Sequence, residues 1–149
     1  MLDYKLKKTK LVLAMLLTLL MSCDTEPEIS RQEEVAAQLI SGGALWNVKE
    51  VTIDDVVENT LFANLSIQFE EGTYSSTNGG LVWSPTGTWS FTSEDATSFI
   101  REDGVEVLIE SITSDELILS LDWPETTLDA DKGRTTSRKG YHRFAFDRR

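Results

Sequence analysis

Residues 65–91 read LSIQFEEGTYSSTNGGLVWSPTGTWSF. Leu65, Ile67 and Phe69 alternate with polar neighbours, and Trp89 and Phe91 repeat the pattern further on. Successive side chains of a strand point to opposite faces, so each run describes a strand with one apolar face. Glu70-Glu71-Gly72, Asn78-Gly79-Gly80 and Pro85-Thr86-Gly87 separate the runs, each a turn signal at hairpin spacing. The stretch predicts antiparallel strands joined in sequence. No parallel βαβ unit is visible, which argues against a nucleotide-binding α/β domain.

The same reading extends in both directions. Candidate strands are Ala44–Ile53, Leu65–Glu70, Thr73–Thr77, Leu81–Ser84, Thr88–Thr92, Ser98–Arg101, Val105–Ile112, Glu116–Asp122 and Tyr141–Asp147. Val105/Val107/Ile109, Leu117/Leu119/Leu121 and Phe144/Phe146 alternate in the same way. Asp103-Gly104 and Ser114-Asp115 supply two further turns. Two connections are longer. Asp54–Asn64 reads as a helical turn, and the polar Trp123–Gly140 as a mobile excursion before the last strand. Ahead of the strands, Ser30-Arg31-Gln32-Glu33 fits a capping box, and Val35, Ala36, Leu39 and Ile40 share one helical face. Gly42-Gly43 stops that helix at about residue 41, and it is expected to lie against or plug one end of the sheet. The expected fold is mainly β: an antiparallel up-and-down meander with one short N-terminal helix, closed into a small barrel of about eight strands or folded over as a sandwich. Closure removes exposed edges, and a monomer is expected.

The first 22 residues read as an address. Lys5, Lys7, Lys8 and Lys10 form a basic segment, and Leu11–Met21 is an apolar run of eleven residues. That is too short to span a bilayer, which takes about 20 residues, but suits a signal peptide. Leu20-Met21-Ser22-Cys23 closes it and resembles the lipobox of bacterial lipoproteins. That resemblance implies cleavage before Cys23 and acylation of Cys23, with two or three acyl chains holding the chain at a membrane. The implied organisation is a signal peptide at 1–22, a lipidated tether at 23–30 and a barrel domain at 31–149. Acidic residues follow the cysteine at Asp24, Glu26 and Glu28. Such residues resemble a surface-display signal in Bacteroidetes and an inner-membrane retention signal in proteobacteria.

Charge is distributed unevenly. The whole chain carries 25 acidic and 14 basic groups, net −11. Residues 23–131 hold 23 acids against Arg31, Lys49 and Arg101, whereas residues 132–149 hold seven basic groups against Asp147. A nucleic-acid partner is excluded by this acidity. Two readings of the basic segment stand open: it lies across the acidic body and neutralises part of it, or it forms a patch for phosphates or an acidic partner.

Enzymatic chemistry finds little support. One His, one Cys and no Gly-x-Ser-x-Gly elbow leave nothing to assemble a nucleophile, base and oxyanion donor. Asp54-Asp55, Glu70-Glu71 and Glu102-Asp103 are adjacent carboxylates at expected turns, where they point apart. Asp129-x-Asp131-x-Gly133 is a fragment of a calcium loop without the later ligands. His142 alternates with Phe144 and Phe146 and reads as a hydrogen-bonded structural histidine. No catalytic residue, metal ligand or cofactor is expected.

Leu45-Trp46, Ile67-Gln68-Phe69, Gly72-Thr73-Tyr74, Gly87-Thr88-Trp89-Ser90-Phe91 and Asp115-Glu116-Leu117, behind a lipobox and a short helix, resemble the lipocalin-like lipoproteins of Bacteroidetes over residues 38–147. The resemblance implies a barrel that holds a small apolar molecule or docks a partner, anchored in the cell envelope, at the outer membrane. Trp46, Phe69, Trp89, Phe91 and Phe144 either line such a ligand site or simply fill the interior. Trp83 beside Pro85 and Trp123 beside Pro124 are the candidates for an exposed aromatic platform. The expected function is a membrane-anchored protein binding a small apolar or amphipathic ligand. The alternative is a non-enzymatic interaction or glycan-binding module with a protein or glycan partner. An internal apolar void of at least about 300 Å³ separates the two.

Overall fold

The computed structural model describes residues 27–148. The expected signal peptide, and Cys23 with its acidic neighbours Asp24 and Glu26, lie outside the described residues. The described chain is mainly β, a closed antiparallel barrel of eight strands with one short helix.

Helix α1 (Arg31–Ile40) begins as its capping box requires. The Ser30 hydroxyl accepts from the Glu33 N–H at 3.2 Å, and the Glu33 carboxylate accepts from the Ser30 N–H at 2.8 Å. The backbone then tightens through Ser41–Gly43 into β1 (Leu45–Ile53). There follow β2 (Val56–Val57), β3 (Ser66–Glu70), β4 (Thr73–Thr77), β5 (Thr86–Phe91) and β6 (Ser98–Arg101). The chain finishes with β7 (Glu106–Ile112), β8 (Glu116–Trp123), β9 (Thr127–Asp129), β10 (Arg134–Ser137) and β11 (Gly140–Arg148).

Around the barrel the order is β1, β3, β4, β5, β6, β7, β8, β11, and β11 pairs back onto β1. Trp46 faces Arg148 at one end of that closing seam and Ile53 faces His142 at the other. Two register shifts bend the wall. One falls between Val48 and Glu50 in β1, the other between Ile109 and Ser111 in β7. Each leaves an extra residue, Lys49 and Glu110, that a bulge turns outward. Glu110 accepts from Arg143 Nε at 2.7 Å and from the Tyr141 hydroxyl at 3.0 Å, and Lys49 Nζ lies 3.7 Å from Asp147. Arg143 of the C-terminal strand is thus set against an acid of β7 and Asp147 against a lysine of β1.

Three sequence expectations are corrected. Leu81–Ser84 is not a strand. Its Trp83 N–H donates to the Gly79 C=O at 3.1 Å, so the loop between β4 and β5 folds back on itself. The Trp123–Gly140 connection is ordered as a hairpin of its own, β9 against β10. The Asp54–Asn64 connection is a hairpin turn first, and only its end, where the Leu65 N–H donates to the Phe62 C=O at 3.0 Å, holds a single hydrogen-bonded turn. Asp54 and Asp55 adopt φ of 49° and 64°, the backbone of a tight hairpin turn, and β2 then pairs with the end of β1.

The barrel is stoppered at both ends. Below, Val35 and Leu39 of α1 are buried, Trp46 Nε1 donates to the Leu39 C=O at 3.0 Å, and the Arg148 guanidinium stacks 4.4 Å from the Trp46 ring centroid. Above, Phe62, Val82 and Trp83 are buried from the connecting loops. Gly87 in β5 faces Tyr74 in β4, and a Cβ built there would fall 2.5 Å from the ring. Gly87→Ala is therefore expected to destabilise the fold by about 1–3 kcal/mol. Denaturant unfolding checks it. A midpoint equal to that of the unsubstituted protein would show that the Tyr74 ring moves aside at no cost.

Candidate functional site

The interior comes first, because a calyx was one of two expectations for it. Trp46, Phe69 and Phe144 are fully buried, Trp89 nearly so, and Phe91 is partly buried against the same cluster. Phe69 meets Trp89 edge-on at 6.0 Å and Phe99 at 5.8 Å between centroids. Phe144 meets Phe62 at 5.0 Å and Trp83 at 5.8 Å, both near-perpendicular. Edge-to-face rings at these distances are the arrangement of a filled aromatic core. The widest clefts of the described residues are walled by other side chains, without Trp46, Phe69, Trp89, Phe91 or Phe144.

Trp83 is not the exposed platform that its neighbour Pro85 suggested. It is wholly buried, wedged between Tyr74 and Phe144. The reason is local. A Cβ at Gly79 would fall 2.4 Å from the Trp83 Cβ, so only glycine lets the loop close tightly enough to turn the indole inward. Trp123 is partly buried, packed against the core, with its Nε1 enclosed. The two tryptophans do not make a shared exposed platform, since Trp83 reaches no surface.

Beneath the Trp83 loop sits a buried cation that the sequence did not advertise. The Arg101 side chain is wholly enclosed. Its Nη1 donates to the Val82 C=O at 2.7 Å, its Nε to Asp103 at 3.1 Å, and its Nη2 is ion-paired with the same carboxylate. The guanidinium also lies 4.9 Å from the Trp83 ring centroid. Burial alone would push the Asp103 carboxyl up. The bonds and charge of Arg101 outweigh it, and the carboxyl is held below its ordinary range. Arg101 thus pins the loop that stoppers the upper end.

His142 is fully buried in β11, as its alternation with Phe144 and Phe146 suggested. Its Nδ1 lies 2.9 Å from the Gly140 C=O and so carries the proton, leaving Nε2 as an acceptor with no partner. Phe62 packs edge-on against the ring and Phe144 stacks over it. Burial drives its pKa down, beyond what the Gly140 contact and the charge of Asp54 restore.

The paired acids lie at turns. Asp129 Oδ1 accepts the N–H groups of Asp131 and Lys132, both at 3.2 Å, so the calcium-loop fragment is the turn of the β9–β10 hairpin. No group of three or more His, Cys, Asp or Glu side chains among the described residues is placed to hold a metal.

A wide concave surface lies at the upper end of the barrel, opposite α1. It is a cleft of about 710 Å³ between the β9–β10 hairpin and the loops after β2 and β4. Arg134, Thr135, Thr136 and Arg138 form one wall, Glu58, Thr60 and Leu61 another, and Gly80 the third. Arg138 reaches Glu58 at 3.5 Å. A Cβ on Gly80 would lie 3.4 Å from the Thr136 C=O, which measures how closely the loop and hairpin approach. Exposed apolar residues gather on the same loops: Val56, Val57, Leu81 and Leu128. The sequence signal for this site was the change of charge after residue 131. What it could not give was the partner wall, brought from some 75 residues earlier in the chain.

Comparison of the sequence with models of known families finds no match, and comparison with curated proteins finds no relative.

A pH dependence follows from His142. The unfolded chain takes a proton on this imidazole below about pH 6.5, while the folded barrel resists it to a lower pH. The unfolded state then binds more protons, so stability is complete above about 6.5 and declines as pH falls toward the folded value, by at most about 1.4 kcal/mol per pH unit. His142→Phe is expected to flatten that decline between pH 6.5 and 5. Denaturant midpoints across the range provide the check, and an unchanged slope in the variant would assign the decline to other groups.

Proposed function

We propose that this chain is a lipid-anchored, non-enzymatic binding module of the bacterial cell envelope, lipocalin-like in form. On this reading it takes its ligand at the upper rim of the barrel rather than in a calyx. The observation that carries it is the contrast between the two places. The interior is filled by interlocking aromatic side chains, while a cleft of about 710 Å³ stands open at the rim. Small-molecule sites of proteins usually occupy about 300–1,000 Å³, and the cleft falls in that range.

The position of the tether supports the same assignment. The chain enters the fold through α1, which Gln32 ties to the Ser93 C=O at 3.0 Å and Arg148 ties to the Gln38 C=O at 2.6 Å. These contacts place α1 at the lower end. A lipid on Cys23, only eight residues before Arg31, would hold that end toward the bilayer and leave the rim cleft at the far end. Among the described residues no helix is long and apolar enough to cross a membrane, so the anchoring reading rests on the lipobox alone. The outer membrane remains the assigned location on the resemblance already given.

Two outcomes are expected. Cys23→Ala should move the protein from the membrane fraction to the soluble fraction, with loss of the acyl mass from the N-terminal peptide. Equal membrane association of the variant, or an unacylated cysteine in the parent, would remove the anchor from the reading. Native mass spectrometry of protein taken from its own envelope should show a bound small molecule that Thr135→Trp, which fills the cleft, displaces. An adduct that survives Thr135→Trp, or no adduct in any preparation, overturns binding at the rim.

A further inference from the structure

The rim cleft is lined by two guanidinium groups, three threonines and a single carboxylate. Its one carboxylate is already engaged: Glu58 Oε1 accepts the Thr60 N–H at 3.1 Å, and Oε2 faces Arg138 Nη1 at 3.5 Å. The Thr136 hydroxyl donates to the Thr127 C=O at 3.2 Å and is likewise spoken for. What remains is the Arg134 guanidinium, which has no ion-pair partner among the described residues, the outward N–H groups of Arg138, and the hydroxyls of Thr60 and Thr135. Asp129, across the hairpin from Arg134, is bound instead to Lys132 at 3.4 Å.

A guanidinium is always charged and presents its N–H groups as a planar fork that matches two oxygens of one anion. One fork without an ion-pair partner among the described residues, Arg134, and a second shared with Glu58, Arg138, stand beside the hydroxyls of Thr60 and Thr135. They suit a ligand rich in acceptors and negative in charge. The long-range field sharpens the point. The chain as a whole is net −11 and repels anions, yet the cleft is built from the C-terminal segment in which seven basic groups stand against one acid. Two of those seven, Arg134 and Arg138, line the cleft, so an anion that the acidic body repels meets a local pair of cations there. The cleft is also too large for a bare oxyanion, and Leu61 lines it beside the donors.

We propose that the rim cleft binds an oxyanionic group, a phosphate in the first instance, through Arg134, Arg138 and the Thr135 hydroxyl. The inference rests on the reading of the cleft as the binding site and names the chemistry of what it takes. The same chemistry has two sources, the phosphate headgroup of an amphiphile and a free phosphate, and the volume beyond the donors separates them by experiment.

The test titrates the full chain, held in a neutral detergent, with three probes followed by calorimetry: inorganic phosphate, dihexanoyl phosphatidic acid, and dihexanoyl phosphatidylcholine as a zwitterionic control. Phosphatidic acid is expected to bind, more weakly as salt rises, and Arg134→Gln to weaken it about tenfold or more, the loss expected for a charge-assisted pair. Lys49→Gln, at the opposite end of the barrel, should leave binding unchanged. Phosphatidic acid binding tenfold tighter than inorganic phosphate assigns the amphiphile, and equal affinity assigns the free anion. Both outcomes sustain the proposal. No heat with either anionic probe, or an affinity that Arg134→Gln leaves intact, overturns it. If that happens while Thr135→Trp still displaces the native adduct, only the anionic chemistry falls. If Thr135→Trp displaces nothing, the rim reading falls with it.

Discussion

Pairing of β1 with β11 turns an eight-strand meander into a ring. Without it, both strands would present unsatisfied N–H and C=O groups along an exposed edge. The seam runs from Trp46 opposite Arg148 to Ile53 opposite His142, and it sets what each neighbouring residue does. At its lower end Arg148 covers Trp46 and also bonds to α1, so closure and the helical plug are one construction. At its upper end Asp54, just beyond β1, accepts the Tyr141 N–H at 2.9 Å and joins the first hairpin turn to the last strand.

Closure at eight strands also decides the interior. A ring of that size leaves room for side chains or one small ligand. Here the side chains take the space, because three buried aromatics, Phe62, Trp83 and Phe99, join those of the alternating strands. Phe62 and Trp83 come from connecting loops, and they reach the core only because those loops fold inward. The result is a packed body whose large open cleft lies at the rim rather than inside. Binding sites carried on loops over a rigid scaffold are common for the same physical reason: loops change shape and sequence without disturbing the packed core.

Much of this was legible in residues that alternate. Leu65/Ile67/Phe69, Leu117/Leu119/Leu121 and Phe144/Phe146 face inward as their spacing required, and the capping box of Ser30 and Glu33 marked the start of α1. The failures share a cause. Leu81–Ser84 has strand-like composition, but its course is set by Gly79 and by Arg101, 19 residues after Val82 in the chain. Trp123–Gly140 has loop-like composition, yet pairs with itself. In each case a non-local contact or a backbone turn outweighed local preference.

By itself, the sequence determined the antiparallel β class, most of the wall strands, the helix start and the asymmetry of charge, since all of these are local patterns of polarity, size and backbone freedom. Only the tertiary structure decided that the barrel is full, that Trp83 is core, and that Arg134 and Arg138 meet Leu61 and Gly80 across one cleft. Volume filling and the convergence of distant loops depend on how the ring closes in three dimensions, and no local pattern encodes that distance.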